Sequence, residues 1–111
     1  MASPIRQLAA GQLGNAAVSL YVSATGTWTQ IAKVTCTNTD TATHVVTFHI
    51  VPASGSATAS NKSTITQGIL PGQTWNSPNE YGLVLNPGDA LYGFADTASE
   101  VNYFVAGLLL N

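Results

Sequence analysis

The sequence predicts an all-β protein, folded as a single jelly-roll-like antiparallel β-sandwich of about eight strands. Short stretches of alternating apolar and polar residues recur along the chain, as expected of strands that have one face in a core. Turn-forming Gly, Pro, Asn and Ser residues separate these stretches at intervals of about 8 to 12 residues, the spacing of sandwiches and barrels. No segment carries a convincing 3.6-residue pattern, which would indicate a helix of normal length.

The clearest of these patterns is a pair of strands around one turn, between residues 83 and 95. The tetrapeptide Asn86-Pro87-Gly88-Asp89 interrupts the alternation there. Pro87 fixes the φ angle of the first corner, and Gly88 can adopt the positive φ that a type II turn requires at its second corner. A second hydrophobic-Pro-Gly turn follows the same pattern at residues 70–73. Two such turns in a small chain indicate strands joined at tight corners.

Alternation and turn residues together place the strands. We predict them at residues 18–22, 28–37, 43–51, 62–67, 74–77, 81–85, 90–95 and 99–110. In the second of these strands, a period of two directs Ala32, Val34 and Cys36 toward the core and Ile31 toward the outside. Cys36 is the single cysteine, so the chain has no internal disulfide, and a buried, inert thiol is expected at this position.

The composition is poor in charge and restricts the possible partners. Charged residues make up 7% of the 111 residues, against about 25% in a typical soluble domain, and the basic residues are Arg6, Lys33 and Lys62. So few cations argue against nucleic acid and against a polybasic membrane signal. No apolar stretch approaches the ~20 residues of a transmembrane helix. A nearly uncharged surface suits a single-domain protein that works packed against neighbours.

The titratable residues do not form a catalytic constellation in the sequence. No nucleophile elbow, phosphate-binding loop or zinc-protease motif is present, so we predict a non-enzymatic protein without catalytic residues, cofactor or metal. His44 and His49 are an odd number of positions apart on one strand and therefore point to opposite faces. Each is expected to be satisfied inside the protein or at an interface. Asp89 is expected to accept backbone hydrogen bonds at its turn.

Aromatic residues leave one ligand-binding alternative open. Trp75 and Tyr92, with Trp28 and Tyr81, could form a stacking platform for a sugar on an otherwise polar surface. The same residue types also fill sandwich cores and subunit contacts.

Residues 1–15 read as an extended N-terminal arm that precedes a sandwich domain of residues 16–111. The arm is rich in small residues and has too few large apolar groups for a core of its own. We therefore expect that it can be removed without loss of the fold, and that it contacts a neighbouring protein. Its candidate interface residues are Ile5, Arg6, Leu8 and Leu13.

The C-terminal strand is the second candidate interface. Leu108, Leu109 and Leu110 place apolar side chains on both of its faces, which a strand with one face in the core does not need. It is either a central strand of the monomer or part of a subunit interface. Because the surface also has little charge, we predict a homo-oligomer, and a trimer in particular.

Most of the chain, from about residue 17 to residue 107, resembles the small virion proteins of tailed bacteriophages. The resemblance rests on five stretches: SLYVSATGTWTQIAKVTCTNTD, VVTFHIVPASGSATASN, LPGQTW, LVLNPGDALYGFAD and VNYFVAGLLL. Proteins of this type are single β-sandwiches that assemble as multimers on the capsid, neck or tail, and they have no catalytic residues.

The resemblance implies a non-enzymatic virion structural protein, made in the host cytoplasm and located in the virion. A capsid decoration (cement) protein bound to the major capsid protein is the leading interpretation. A tail or neck accessory protein bound to a tail protein, and a carbohydrate- or receptor-binding module, are the alternatives.

Overall fold

The computed structural model describes residues 5–110. Its nine strands are β1 (Arg6–Gln12), β2 (Val18–Val22), β3 (Trp28–Asn38), β4 (His44–Val51), β5 (Lys62–Ile69), β6 (Thr74–Asn76), β7 (Val84–Leu85), β8 (Ala90–Ala95) and β9 (Val101–Leu110). One turn of 3-10 helix, Ala59–Asn61, precedes β5, and residues 5–110 contain no α-helix. The predicted all-β fold is confirmed.

All strand pairings are antiparallel, and the strands form two sheets. Sheet A has the order β1-β9-β3-β6, and the two-residue strand β7 also pairs with β3. Sheet B has the order β2-β8-β4-β5. Most consecutive strands lie in different sheets, so hydrogen-bonded neighbours are often far apart in the sequence. This is the jelly-roll arrangement, with β7 as a short additional strand.

The core lies between the two sheets. Phe48 of β4 is its largest fully buried side chain. Phe48 lies against Gly93 of β8, where an added Cβ would come within 2.7 Å of the aromatic ring, so the glycine makes room for the phenylalanine. The buried core residues are Leu13, Ile31, Val34, Cys36, Val46, Phe48, Ile69, Leu85, Leu91, Ala95, Val101 and Val105.

A bulge in β3 overturns the predicted orientation of Ile31. Ile31 pairs with Gly107 of β9 and Lys33 with Ala106, so Ala32 is an extra residue on β3. An extra residue shifts the alternation by one position, and Ile31 is therefore fully buried on the same side as Val34. Gly107 permits the close approach, since a Cβ there would lie 2.4 Å from the backbone oxygen of Gln30.

The predicted N-terminal arm is corrected by the structure. Residues 6–12 form β1, which pairs with β9 in sheet A, and Leu13 is 1% exposed in the core. The strand was missed because RQLAAGQ contains no β-branched or aromatic residue. Residues 1–4 of the predicted arm lie outside the described residues. The segment from Arg6 to Leu13 is thus a structural part of the sandwich.

The predicted Pro-Gly turns are confirmed at both positions. Gly88 has a φ of 89°, and the N–H of Asp89 donates to the oxygen of Asn86 at 2.9 Å. The Asp89 carboxylate also accepts the N–H of Asn86 at 3.1 Å, as expected of this residue. Gly72 has a φ of 73°, and the side chain of Gln73 accepts the N–H of Leu70 at 2.8 Å. Each turn is therefore closed by the side chain of its fourth residue.

Candidate functional site

A group of hydrophobic side chains, exposed except for the half-buried Leu108, lies on the outer face of sheet A, where β9 ends. Trp28 pairs with Leu110 across β3 and β9, and Gln30 pairs with both Leu108 and Val84. Cross-strand partners share a face of the sheet, so these side chains lie side by side. We call the following residues the apolar patch: Ile5, Trp28, Tyr81, Val84, Leu108 and Leu110. Their exposed fractions reach 64% at Ile5 and 73% at Tyr81.

A shallow cavity of about 160 Å³ opens within the apolar patch. It is lined by Ile5, Gln30, Ile31, Ala32, Tyr81, Gly82 and Leu108. Backbone hydrogen bonds hold its wall in place, because the N–H of Gly82 donates to the oxygen of Ile31 at 2.7 Å and the N–H of Ile31 donates to the oxygen of Leu83 at 2.8 Å. The lining is mostly apolar, with Gln30 and the hydroxyl of Tyr81 as its polar side-chain groups.

The structure brings part of the predicted interface together. Ile5, Leu108 and Leu110 lie in the apolar patch. Leu109 lies half-buried on the opposite side of β9, where it pairs with the fully buried Thr29. β9 is a central strand of sheet A, between β1 and β3, so the first reading of the C-terminal strand is confirmed. Its outer face contributes to the apolar patch, and a subunit interface there stays a prediction.

The remaining predicted interface residues lie along β1. Arg6 is exposed at its first position, and Leu8 is half-buried against the core. Leu13 is the exception to the prediction: it is buried in the core and offers no surface to a neighbour. Of the four interface residues predicted in the arm, Ile5 and Arg6 are exposed, and an interface at these two residues stays a prediction.

His44 joins two loops through its ring nitrogens. Its Nε2 lies 2.7 Å from Asp40 Oδ2, and its Nδ1 lies 3.0 Å from Asp96 Oδ1. The hydrogen bond to Asp40 raises the pKa of His44, and the same bond lowers the pKa of Asp40. Asp96 also accepts the N–H of Val45 at 3.3 Å. The cluster clamps the β3–β4 turn to the loop after β8, which is a structural role.

His49 is satisfied separately on the outer side of sheet B. It shares a hydrogen bond of 2.8 Å with Asn61 Oδ1 and stacks on Phe94 with ring centroids 6.2 Å apart. No group of three or more His, Cys, Asp or Glu residues within residues 5–110 has an arrangement that could hold a metal ion.

Sequence reasoning missed the buried carboxylate of Glu80. Glu80 is fully buried and accepts hydrogen bonds from the hydroxyls of Ser63 at 2.5 Å, Thr64 at 2.7 Å and Ser77. The network ties β5 to the segment after β6. Ser77 and Glu80 are three positions apart, and this closeness in the sequence is the one local signal of the network; Ser63 and Thr64 join it only through the fold.

Cys36 lies in the core as predicted. Burial, with a contribution from the negative charge of Glu80, raises the pKa of its thiol to about 12. The thiol therefore stays protonated at neutral pH and is unreactive.

Trp75 and Tyr92 do not share a surface. Trp75 pairs with the buried Cys36 and packs half-buried against the core side of sheet A. Tyr92 belongs to β8 of sheet B and pairs with His49 on that sheet's outer side. The two aromatic rings thus lie in different sheets and face different ways, and they cannot form one stacking platform.

The comparisons with known proteins show no family. No protein-family model matches the chain, and no curated protein matches it. Among solved structures, the chain is similar to a chain of the "Structure of infectious bursal disease virus Gt strain", with a TM-score of 0.47 and 11% identity. The match covers 96% of this chain and 32% of that chain, so this chain spans about a third of its length. A likeness at this level says nothing about function.

Within the part of the chain that the structure describes, no helix has the length and hydrophobicity to cross a membrane.

Proposed function

We propose that the chain is a non-enzymatic structural protein of a virion, of the capsid decoration (cement) type. It binds the assembled particle through the major capsid protein and stabilises it, and it does so as a homo-oligomer, a trimer. The observation that carries the proposal is the apolar patch, which has no charged residue among its members and belongs to a chain with few charges. Exposed apolar groups that adjoin one another mark interaction sites.

The patch is organised in advance of any contact. Trp28, Leu108, Leu110 and Val84 are held at fixed spacing by the β3–β9 and β3–β7 ladders. A partner therefore gains from apolar burial, worth about 1.5–3 kcal/mol for each side chain fully buried, without first ordering the backbone.

Binding to a particle makes the weak contact of each apolar patch sufficient for attachment. Copies repeated around a symmetric shell act together, so avidity exceeds the affinity of one contact. Binding to the assembled shell and not to its separated subunits shifts the equilibrium toward the shell. A cement protein needs no chemistry for this, only a stable fold and an attachment surface.

A non-enzymatic role is supported by the titratable groups whose side-chain bonds hold the fold. His44 and Asp40 clamp two loops, Glu80 is enclosed by hydroxyls, and Asp89 closes a turn. The virion assignment itself is supported by the resemblance to small virion proteins described above. A jelly roll adds weak support, since viral capsid domains and lectins both use this fold.

A carbohydrate- or receptor-binding module receives less support, since Trp75 and Tyr92 lie on different sheets. Trp28 and Tyr81 both belong to the apolar patch, but its other members are aliphatic and no Asn, Asp or Glu lines its cavity. A tail or neck location uses the same patch and the same mechanism, with a tail protein as the partner.

The proposal is tested by location. Mass spectrometry of purified particles from the source of the sequence should detect the chain in stoichiometric amounts, and imaging of labelled particles should place it on the head. Detection on the tail would show that the chain is a tail or neck accessory protein and not a capsid decoration protein. Absence from intact particles, together with a specific hit for the purified chain on a glycan array, would replace the structural role by receptor recognition.

A further inference from the structure

The two sheets of the sandwich differ in how their edges are protected. At one edge of sheet A, β6 and β7 have three and two residues. In sheet B, β2 has a register shift between Ser19 and Tyr21, and β5 has register shifts against β4 and a positive φ of 43° at Thr66. Short or distorted edges offer no regular ladder to another strand.

β1 is the remaining edge and is more regular. Its register against β9 shifts between Gln7 and Ala9, which makes Leu8 the bulged residue. From Ala9 to Gln12 the pairing is regular, and this stretch contains no charge and no proline. Such an edge is open to pairing with another strand.

The hydrogen bonds show which backbone groups of β1 point away from β9. The N–H of Leu13 donates to the oxygen of Val101 at 2.8 Å, in the register that continues from β1. In an antiparallel ladder, residues bonded to the neighbouring strand alternate with residues whose N–H and C=O point outward. Gly11 is therefore bonded to β9, whereas Ala10 and Gln12 direct their backbone groups outward, and both are exposed.

We propose that β1 pairs with β1 of a second copy of this chain, antiparallel about a two-fold axis at Gly11. In this register Ala10 of each copy lies opposite Gln12 of the other, and the two pairs make four backbone hydrogen bonds. The two Gly11 residues meet at the closer, non-hydrogen-bonded position, where the absence of side chains lets the strands approach. The pairing extends sheet A across both copies.

A second copy fits this edge for two reasons. The other edges described above are short or distorted, so the longest regular edge stretch that a copy can offer is residues 9–12 of β1. Repulsion between the two Arg6 side chains does not prevent this pairing either. The antiparallel register separates them by ten positions along the ladder, roughly 30 Å. That distance exceeds the Debye length of about 8–10 Å at physiological salt, so the like charges do not oppose pairing.

The contact is independent of the apolar patch and of the proposed function. The patch lies on the outer face of sheet A, whereas the edge of β1 points sideways in the plane of the sheet. An oligomer formed through the patch would still present its β1 edges to further copies. Purified chain is therefore sufficient for a test, whatever the location of the protein proves to be.

Amide hydrogen exchange of the full-length chain tests the pairing residue by residue. When the protein concentration is raised from about ten micromolar to about one millimolar, the fraction of chains in the dimer increases by mass action. Protection of the Ala10 and Gln12 amides should therefore rise about tenfold or more. The Ala9 and Gly11 amides, already bonded to β9, are the internal control and should not change with concentration. The same rise should appear in the Leu108→Ser/Leu110→Ser variant. Equal exchange of Ala10 and Gln12 at both concentrations would overturn the proposal.

A matched pair of variants provides the second readout. Ala10→Pro removes one outward N–H without removing a bond to β9, whereas Ala10→Val keeps that N–H and favours a strand. In the Leu108→Ser/Leu110→Ser background, which removes association through the apolar patch, sedimentation at about one millimolar should show self-association with Ala10→Val and its loss with Ala10→Pro. Equal association of two folded variants would contradict the proposal. If Ala10→Pro does not fold, the exchange rates of the unmodified chain decide alone.

Discussion

The backbone N–H of Leu13 donates to the oxygen of Val101 at 2.8 Å, and the Leu13 side chain is buried in the core with 1% exposed. This contact joins the first described part of the chain to the start of its last strand. It continues the β1–β9 ladder beyond Gln12 and places a large side chain between the sheets. The N-terminal segment therefore stabilises the sandwich and is not a detachable attachment arm.

Replacing Leu13 should weaken the fold. Leu13→Ala removes a fully buried side chain and leaves a cavity, so we expect the free energy of unfolding to fall by roughly 2–5 kcal/mol. Ile5→Ala is the control, because Ile5 is 64% exposed and its loss should change stability little. Urea unfolding at neutral pH measures both. Equal stability of the Leu13→Ala variant and the unmodified chain would contradict a stabilising role for the Leu13 side chain.

The turn before β8 should not accept a side chain at Gly88. Gly88 has a φ of 89°, and a Cβ there would lie 2.8 Å from the Cβ of Ala53. Gly88→Val combines a strained backbone with this close contact, so we expect a loss on the order of 1–3 kcal/mol. Gly26→Val also has a positive φ but meets no neighbouring atom, and it should cost less. Thermal unfolding of the two variants compares these costs, and a larger loss at Gly26 would refute the account of the turn.

The His44 clamp should make stability depend on pH. The bond to Asp40 raises the pKa of His44 above its ordinary 6.5, so its contribution is complete below pH 6.5 and is lost as pH rises through the folded-state pKa. The bond to His44 lowers the pKa of Asp40 below its ordinary 3.8, so that contribution is present above pH 3.8 and is lost as pH falls through the folded-state pKa. Both contributions act together between about pH 4 and 6.5.

His44→Gln tests this window, because glutamine can still hydrogen-bond but does not titrate. The difference in Tm between the unmodified chain and the variant should be largest between about pH 4 and 6.5 and should shrink on both sides. His49→Gln is the control, since His49 bonds to the neutral side chain of Asn61. A difference that stays constant from acid to alkaline pH would show that the Asp40–His44 pair carries no charge-dependent stability.

The apolar patch should control self-association. Leu108→Ser/Leu110→Ser removes two of its members without touching the core, so the proposed trimer should shift toward monomer at tens of micromolar while the Tm changes little. Ile65→Ser/Leu70→Ser is the matched control, because these residues are 63% and 61% exposed and belong to β5 and the turn that follows it. Light scattering that finds a monomer in the unmodified chain would contradict the trimer.

Local alternation was sufficient to predict much of the fold. β2 and β8 were predicted at their observed bounds, because VSLYV and ALYGFA are short alternating stretches bounded by turn residues. The Pro-Gly turns were predictable for the same reason, since a positive φ at Gly88 is a local requirement. The order of strands was not, because jelly-roll neighbours such as β3 and β9 are far apart in the sequence.

The errors have tertiary causes. β1 has weak strand propensity and is a strand because β9 supplies its hydrogen-bonding partner. Ile31 faces inward because a bulge at Ala32, paired around Gly107, shifts the alternation, and single-strand periodicity cannot show a bulge. Of the candidate site, Leu108 and Leu110 were recognised from their position on an apolar strand. Trp28, Tyr81 and Val84 join them only through strand pairing and a loop contact, which no local pattern contains.

Co-sedimentation with assembled particles tests the central claim most directly. The unmodified chain and the Ile65→Ser/Leu70→Ser control should bind particles equally, whereas Leu108→Ser/Leu110→Ser should bind roughly tenfold or more weakly, because a loss at each contact is multiplied by avidity. All three proteins must show the same Tm, so that folding does not enter the comparison. Undiminished particle binding by the Leu108→Ser/Leu110→Ser variant would contradict attachment through the apolar patch.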